Sequence, residues 1–446
     1  MPISTTGRRR STLRRPRGRI GLFARRRFAI ALCALAFGPT PSSAEWSLDG
    51  FLTIGGRAVE APNSWRDGGF GVLDAGEGGE IELGTGRLSA QLDWNGGTGW
   101  YGRLALHGQA GSNETLDQDP AVTELFVGHA FRSEALDLDL RVGHFLLPTS
   151  RENVEPGWNS PFTMTFSAIN TWIGEEVRPT GVGARVGAGR RHSVGRTMDL
   201  GVGVFGGNDS SGALLAWRGW VLSDRVVGLG EELSLPDLES LRSGGAFDDQ
   251  RSDGPLRETL PFGDDLDGDP GWYMFGIWRP FENFSVRATH YDNRGDKQLY
   301  ASGNGFEYAW STDFHLIGLD AAWRGFEFAA EWLDGHTGMG DPANVFVRAD
   351  FEAWYALISW ARAGWRLSAR YDDFATTDVD GASFDDNSGS GSGWTVAAFW
   401  QPVLRQRWRL GVEWLDVEAD RPEALREGLS SQVGGTALQF GIRFAL

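Results

Sequence analysis

Arginine and carboxylate side chains recur at alternate positions within the most regular stretches of this chain. Charges of both signs that face one aqueous space set up a field across it, and that field acts on passing ions. If the same charges instead pair across neighbouring strands, they only hydrate the space. Both interpretations are open for the residues of this pattern. The arginines are Arg87, Arg103, Arg141, Arg185, Arg287, Arg366, Arg370, Arg409 and Arg443, and the acids are Asp93, Asp137, Asp139, Asp199, Glu327, Glu331, Asp350, Glu352 and Glu413.

Patterns for catalysis or metal binding are sparse. The seven histidines show no HExxH pattern, no serine lies in a GxSxG turn, and His107 and His290 have no evident partner. Asp265, Asp267 and Asp269 have the spacing of the first ligands of a calcium loop, but the distal glutamate is missing. We therefore predict no enzymatic activity, no cofactor and no specific metal site, with these three aspartates as the metal candidates.

A repeat identifies the elements that must position the charges. Four segments begin with an aromatic residue and end with aspartate, at 284–292, 326–334, 365–373 and 408–416. Between those two ends the odd positions are apolar or aromatic, and the even positions are mostly polar, charged or small. This period of two predicts β-strands with one apolar face and one hydrated face.

Short turns flanked by aromatic residues precede these segments, as Trp323 and Phe326 flank Arg324-Gly325. Rings at the base of every hairpin would form a girdle at a membrane interface. Alternating short and long connections give sixteen strands, the even number that bacterial barrels need. We predict an all-β transmembrane antiparallel barrel over 45–446, with long extracellular loops folding toward the lumen. Eighteen strands, or a secreted propeller with blades of this length, are the alternatives.

Two long connections remain outside the predicted wall. The count of sixteen requires that the apolar segment 213–222 lies within a loop, 207–270. The other connection, 148–180, is too apolar to be disordered, and we expect it to fold into the lumen as a constriction loop. A helix that caps the outer rim is the alternative. We expect its acids to face wall arginines; the candidate residues are Arg151, Glu152, Glu155, Glu175, Glu176 and Arg178.

The N-terminal stretch 1–44 has the features of a signal peptide. Ten arginines are followed by a short apolar run, Phe28 to Phe37, and by small residues before Glu45. The chain has 42 basic and 59 acidic residues, and the leader takes ten of the bases and no acid, so the remainder carries a charge of −27. Such acidity argues against nucleic-acid binding. The only cysteine, Cys33, lies in the leader.

The motifs around 141–186 resemble those of a known family. Leu147-Pro148, Arg151-Glu152-Asn153, Ser160-Pro161 and the stretch from Trp172 to Pro179 are similar to the loop of Gram-negative porins of the phosphate-selective O and P type. The resemblance implies an exported outer-membrane pore, embedded in lipid and associated as a homotrimer. We carry over the pore architecture but not the substrate, because phosphate-selective members line the pore with arginines and lysines, whereas this chain has one lysine, Lys297.

We therefore predict a porin that passes ions and small hydrophilic solutes by passive diffusion through a narrowed lumen. An outer-membrane enzyme or adhesin with a plugged lumen is the alternative within the same fold. A TonB-dependent transporter would need a plug of over 100 residues before the barrel, and the first predicted strand follows the cleavage site too closely for that.

Overall fold

The computed structural model describes residues 44–74, 80–111, 118–133, 136–188, 197–242, 244–247, 258–263, 265–302, 305–341, 346–402 and 407–446. The predicted signal peptide lies outside these residues except for Ala44. No helix in the described ranges is long and apolar enough to cross a membrane.

Sixteen antiparallel strands form one closed barrel, in which β1 pairs with β16 through partners such as Thr53 and Arg443. The predicted all-β barrel and its strand number are confirmed. The repeats are hairpins of a single sheet, which excludes both the propeller and the count of eighteen. The strands are β1 Glu45–Glu60, β2 Glu80–Asn95, β3 Trp100–Ala110, β4 Gln118–Arg132, β5 Leu136–His144, β6 Thr180–Ala188, β7 Thr197–Gly206, β8 Gly271–Phe281, β9 Phe284–Asp292, β10 Ser311–Trp323, β11 Phe326–Gly340, β12 Phe346–Arg362, β13 Trp365–Asp378, β14 Gly389–Trp400, β15 Trp408–Asp420 and β16 Gly435–Ala445.

The remaining elements lie in the connections. They are the helices α1 Ala168–Glu176, α2 Ala213–Trp217 and α3 Glu423–Arg426, and the 3-10 turns Trp65–Asp67 and Glu239–Leu241. Two small hairpins complete the set, one pairing Leu233–Ser234 with Glu258–Thr259 and one pairing Leu299–Ser302 with Gly305–Tyr308.

Tight turns close one rim of the barrel. Between β10 and β11, Arg324 and Gly325 have φ of 49° and 87°, and Ala363 and Gly364 between β12 and β13 have 52° and 84°. Two consecutive positive φ values match the right-handed twist of the flanking strands, so two residues suffice to reverse the chain. Long connections at the opposite rim leave chain free to pack elsewhere.

The outer surface of the wall is apolar between two levels of aromatic rings. Along β15, Val412 and Trp414 are exposed outward, whereas Glu413 and Leu415 between them are buried inward. Near the short turns the outward rings include Trp278, Trp323 and Trp365, and toward the other rim they include Trp332, Trp354, Trp394 and Trp414. This is the band and double girdle of a barrel that sits in lipid.

Asp350 and Glu352 do not face inward, contrary to the sequence-based expectation. Phe351 and Ala353 of β12 are the buried residues, while the two acids are exposed on the outer surface. Both carboxylates lie beyond the outward girdle residue Trp354, where the outer face meets water. Outward charge is therefore tolerated there, and polarity does not identify the inner face.

Three connections pack against the inward face of the barrel; we call 61–74, 145–179 and 207–247 the first, second and third inner segments. The ring centroid of Trp172 in the second segment lies 5.3 Å from that of Phe314 in β10 and 5.2 Å from that of Phe351 in β12. The same ring also contacts Trp220 of the third segment at 5.9 Å. Burial of each such side chain contributes about 1.5–3 kcal/mol, so the inner segments and the wall share one apolar core.

A glycine permits the closest approach of the third segment to the wall. Gly212 precedes α2 with φ of 95°. A Cβ atom there would lie 2.0 Å from Thr337 Oγ1 and 2.4 Å from Thr312 Oγ1. Only glycine therefore allows α2 to begin against β10 and β11.

The wall makes a depth-dependent prediction. Val202→Arg places a charge near the middle of the apolar band and should destabilise the barrel by about 2–4 kcal/mol, whereas Met198→Arg, near the short-turn girdle, should cost about 0–1 kcal/mol. Urea unfolding of the protein folded in lipid vesicles measures both. Equal losses at the two depths would contradict the placement of the band.

Candidate channel interior

Arg370 of β13 connects the wall to the second inner segment. Its guanidinium pairs with Glu152, and its Nε lies 2.6 Å from Asp372 Oδ2. The same group donates to the carbonyls of Thr165 at 2.7 Å and Phe166 at 3.0 Å. Arg370 and both carboxylates are almost fully buried. Charge and hydrogen bonds are satisfied together, which a buried ion pair requires.

Glu152 also organises its own segment. Its Oε1 accepts a hydrogen bond from Thr163 Oγ1 at 2.9 Å, and its Oε2 accepts from the Ser167 amide at 2.9 Å. Ser167 is the N-cap of α1, where its side chain accepts from the Asn170 amide. The carboxylate that reaches the wall therefore also fixes the start of the helix.

Two wall glutamates bind backbone of the second segment. Glu413 of β15 accepts from the amides of Met164 and Thr165, the latter at 2.9 Å. Glu331 of β11 accepts from the amide of Arg151. Both carboxylates thus satisfy buried N–H groups that lack secondary-structure partners, which anchors the segment at two more points.

Nearer the short-turn rim the second segment forms wall ion pairs. Arg151 pairs with Asp320 of β10. Glu155 lies 3.1 Å from Arg443 and 3.5 Å from Arg409. Glu152 and Glu155 are the segment's two acids that face wall arginines.

Glu175 and Glu176 do not face the wall, and this part of the prediction is wrong. Glu175 pairs at 2.8 Å with Arg218 of the third segment. Glu176 accepts from Trp172 Nε1 at 2.6 Å and from the Leu214 amide at 3.0 Å. Arg178 donates to the carbonyls of Gly174 and Val227, at 2.8 and 2.5 Å. These residues join the two inner segments because α1 packs on α2, not only on the barrel.

Several predicted wall arginines pair with acids. Arg103 lies 2.7 Å from Asp93, Arg185 lies 2.8 Å from Asp199, and Arg366 lies 2.8 Å from Glu327. Arg87 contacts Asp224 of the third segment at 3.0 Å. At these positions the charges of the wall pair with acids of neighbouring elements, as in the second of the two interpretations of the sequence pattern.

Arg141 and Arg287 differ from the rest, since neither forms an ion pair with another described residue. Arg141 stacks over the Phe145 ring at 3.8 Å, and Arg287 donates to the Pro148 carbonyl. Both line a cavity of about 420 Å³ toward the short-turn rim, whose other charged residues are Arg132, Asp139, Arg185 and Arg279. The cavity is therefore predominantly cationic.

A smaller cavity, of about 70 Å³, follows the wall formed by β1, β2 and β16. Its charged lining consists of Arg57, Arg66, Arg87 and Arg443 with Asp74 and Asp224. Arg57 lies 2.7 Å from Asp74 and also pairs with Glu82. Positive charge exceeds negative charge along this lining as well.

Two of the three aspartates that the sequence offered as metal ligands lie close to each other in the structure. Asp265 and Asp267 lie with Asp209, while Asp269 is not part of the group. Burial raises the pKa of Asp209 to about 7, and the charges of Asp267 and Asp265 add to the effect. Asp209 Oδ2 accepts the Leu266 amide at 2.5 Å, so this carboxylate already has a partner.

The two histidines noted in the sequence lie apart. His107 is buried on the inner face of β3, and neither ring nitrogen has a hydrogen-bond partner among the described residues. His290 lies on the outer face of β9, with its Nδ1 3.2 Å from that of His315. Among the described residues, neither histidine is hydrogen-bonded to the serine or acid partner that nucleophilic catalysis uses.

Residues missed at the sequence level include the inward apolar ones. Leu333 and Leu415 occupy even positions of the repeat and are buried against the inner segments, as is Tyr291. A leucine at an even position of the repeat, where most residues are polar, charged or small, indicates that the inner face packs on protein there. The sequence does not predict the first inner segment, which contains the fully buried Trp65, because a connection as short as 61–74 is ordinary for a barrel.

Two solved outer-membrane proteins have a similar fold. The outer-membrane channel DcaP of Acinetobacter baumannii aligns over 91% of this chain and 98% of its own, with 12% identity and a TM-score of 0.50. Salmonella typhi OmpF, in complex with daunomycin, aligns over 90% and 97%, also with 12% identity and a TM-score of 0.50. No family model and no curated protein sequence matches the chain. The chain therefore has a porin-like fold, and its resemblance to the phosphate-selective type stays a prediction.

The link between the inner segments can be tested at Arg218. Arg218→Gln leaves Glu175 buried without a counter-charge and should destabilise the protein by about 3–5 kcal/mol. The control is Arg242→Gln, which removes the pairs of a half-exposed arginine with Asp237 and Glu427 and should change stability by about 0–1 kcal/mol. Urea unfolding in detergent micelles measures both. Equal effects would contradict the buried link.

Proposed function

We propose that this protein is an outer-membrane channel that passes small hydrophilic solutes and ions by diffusion and prefers anions. The observation that carries the proposal is the cationic cavity at the short-turn rim, which contains Arg141 and Arg287 without carboxylate partners. The lipid-facing band supports the location, and the porin-like fold supports the class of function.

Charge imbalance supports the preference for anions. At about 4 Å, a unit positive charge attracts an anion by about 1 kcal/mol in bulk water and about 4 kcal/mol near a protein surface. Arginines held by carboxylates, such as Arg103 and Arg185, contribute little to this field. Arg141 and Arg287 have no such counter-charge among the described residues.

The inner segments limit the size of solute in this proposal. The larger described cavity measures about 420 Å³ and the smaller about 70 Å³. We infer that solutes move along the β1, β2 and β16 wall, where the smaller cavity is lined by Arg87 and Arg443. We expect a conductance well below that of an open sixteen-stranded barrel. Association as a homotrimer stays a prediction of the resemblance.

The apolar packing of the lumen favours a second candidate, a barrel that is closed or plugged and serves as an adhesin or enzyme. Trp172, Trp217 and Leu214 are buried between the inner segments and the wall. A packed core of this kind resists opening. This candidate predicts no conductance.

Recording in planar bilayers distinguishes the candidates. The channel proposal predicts discrete ohmic steps, and in a gradient of KCl it predicts a reversal potential on the anion-selective side. Absence of steps would favour the plugged barrel, whereas steps with cation selectivity would overturn the role of the arginines.

The arginines themselves can be tested. The double substitution Arg141→Gln and Arg287→Gln removes the unpaired charge and should shift the reversal potential toward zero. The matched control is Arg324→Gln in a short turn, where the side chain stacks on Trp323 outside the lumen. The control should keep the wild-type value. An unchanged potential in the double variant would contradict the proposal.

A further inference from the structure

The outer connection between β13 and β14, residues 379–388, brings carboxylates together. Oxygens of Asp378, Asp380 and Asp385 all lie within 4.8 Å of one another. Asp378 Oδ1 accepts from the Asp380 amide at 3.1 Å, and Asp380 Oδ2 accepts from the Arg348 amide at 2.7 Å. These bonds shape the loop through backbone amides, and Arg426 donates to the Ser383 carbonyl within it at 3.0 Å.

Asp385 is the unusual member of this group. Its exposed fraction is 3%, and neither carboxylate oxygen has a hydrogen-bond partner among the described residues. A carboxylate buried without hydrogen bonds or a counter-charge is strongly disfavoured, so it must be protonated or bound to a cation.

The neighbouring donors are engaged elsewhere. The Nδ2 of Asn387 donates to the Ala216 carbonyl at 3.1 Å. Arg421, just beyond β15, donates to the carbonyls of Ala216 and Trp217 at 2.9 and 2.8 Å, and it forms no ion pair with a described residue. The described hydrogen bonds of both side chains therefore go to carbonyls of α2, and the charge of Arg421 acts on Asp385 without an ion-pair contact.

Further oxygen atoms near the group lack partners as well. Asn387 Oδ1 and Glu423 Oε1 are buried, and no described residue hydrogen-bonds to them. The charge of Glu423 acts on Asp385. A set of carboxylate and amide oxygens suits a hard cation, and Ca²⁺ accepts six to eight such ligands in flexible geometry, whereas Mg²⁺ demands a near-ideal octahedron and keeps several waters.

We propose that Asp378, Asp380 and Asp385 bind one Ca²⁺ ion, with Asn387 Oδ1 as a further oxygen ligand. The ion fastens the loop 379–388 onto the third inner segment. Phe384, next to Asp385, packs on Phe247 at 5.3 Å, and Phe247 packs on Trp217 of α2 at 5.0 Å. The site is independent of the proposed channel function, since it would bind Ca²⁺ in an open or a closed barrel.

The test uses the full-length protein folded in detergent and stripped of metal with EDTA. Titration calorimetry with CaCl₂ should show a saturable site in wild type, with an affinity at least tenfold lower in Asp385→Asn. The matched control, Asp334→Asn, changes an exposed aspartate within β11, outside the loop 379–388, and should bind as wild type does. MgCl₂ should bind at least tenfold more weakly than CaCl₂.

Thermal unfolding gives a second readout that does not depend on heats of binding. In EDTA, Asp385→Asn should unfold at or above the wild-type temperature, because it removes an uncompensated buried carboxylate. Excess Ca²⁺ should raise the transition of wild type above that of the variant. The proposal is overturned if wild type shows no saturable binding, if Asp385→Asn binds Ca²⁺ as tightly as wild type, or if Mg²⁺ binds equally well.

Discussion

The hydrogen-bonded ion cluster of Arg370, Glu152 and Asp372 is the interaction on which the interior depends. A closed sixteen-stranded wall leaves a space wide enough for water, and polypeptide enters it only if its backbone groups find partners there. Arg370 supplies such partners for the carbonyls of Thr165 and Phe166, and Glu152 supplies one for Ser167. The desolvation of each charge is offset by the other charges and by these bonds, so the cluster is stable only when it is complete.

From this anchor the interior divides into two parts. Toward the long-loop rim the wall presents apolar side chains such as Leu333, Phe351 and Leu415, and α1 and α2 pack against them. Toward the short-turn rim it presents arginines, of which Arg141 and Arg287 have no described carboxylate partner. One barrel therefore combines a packed apolar layer with a cationic layer that contains the larger described cavity. The second inner segment connects the layers, since Glu155 lies in one and Trp172 in the other.

The strands of the barrel wall could be predicted from the sequence because each strand and each short turn has a local sequence pattern. Period-two alternation and paired turn aromatics predicted sixteen strands, and that number is confirmed. The ion-pair partners inside the lumen could not be predicted in this way. Arg370 and Glu152 are 218 residues apart, and no local pattern selects one glutamate among several.

The errors have the same origin. In β12 both faces carry aromatic residues, with Phe351 and Tyr355 inward and Trp354 outward, because the inner face packs on protein while the outer face meets lipid. Polarity therefore assigned Asp350 and Glu352 to the wrong side. Glu175 and Glu176 were assigned to the wall because contact between the two inner segments depends on tertiary packing alone.

The coupling between Arg370 and Glu152 tests the central claim most directly. A double-mutant cycle of Arg370→Gln and Glu152→Gln, followed by urea unfolding in detergent micelles, measures it without reference to function. Arg370→Gln leaves Glu152 and Asp372 buried without their counter-charge and should lose about 3–5 kcal/mol, whereas Glu152→Gln keeps the Arg370–Asp372 pair and should lose less. The double variant should be more stable than the sum of these losses by at least about 2 kcal/mol. Additivity within about 0.5 kcal/mol would mean that the two residues do not interact, and would contradict a second inner segment anchored inside the barrel.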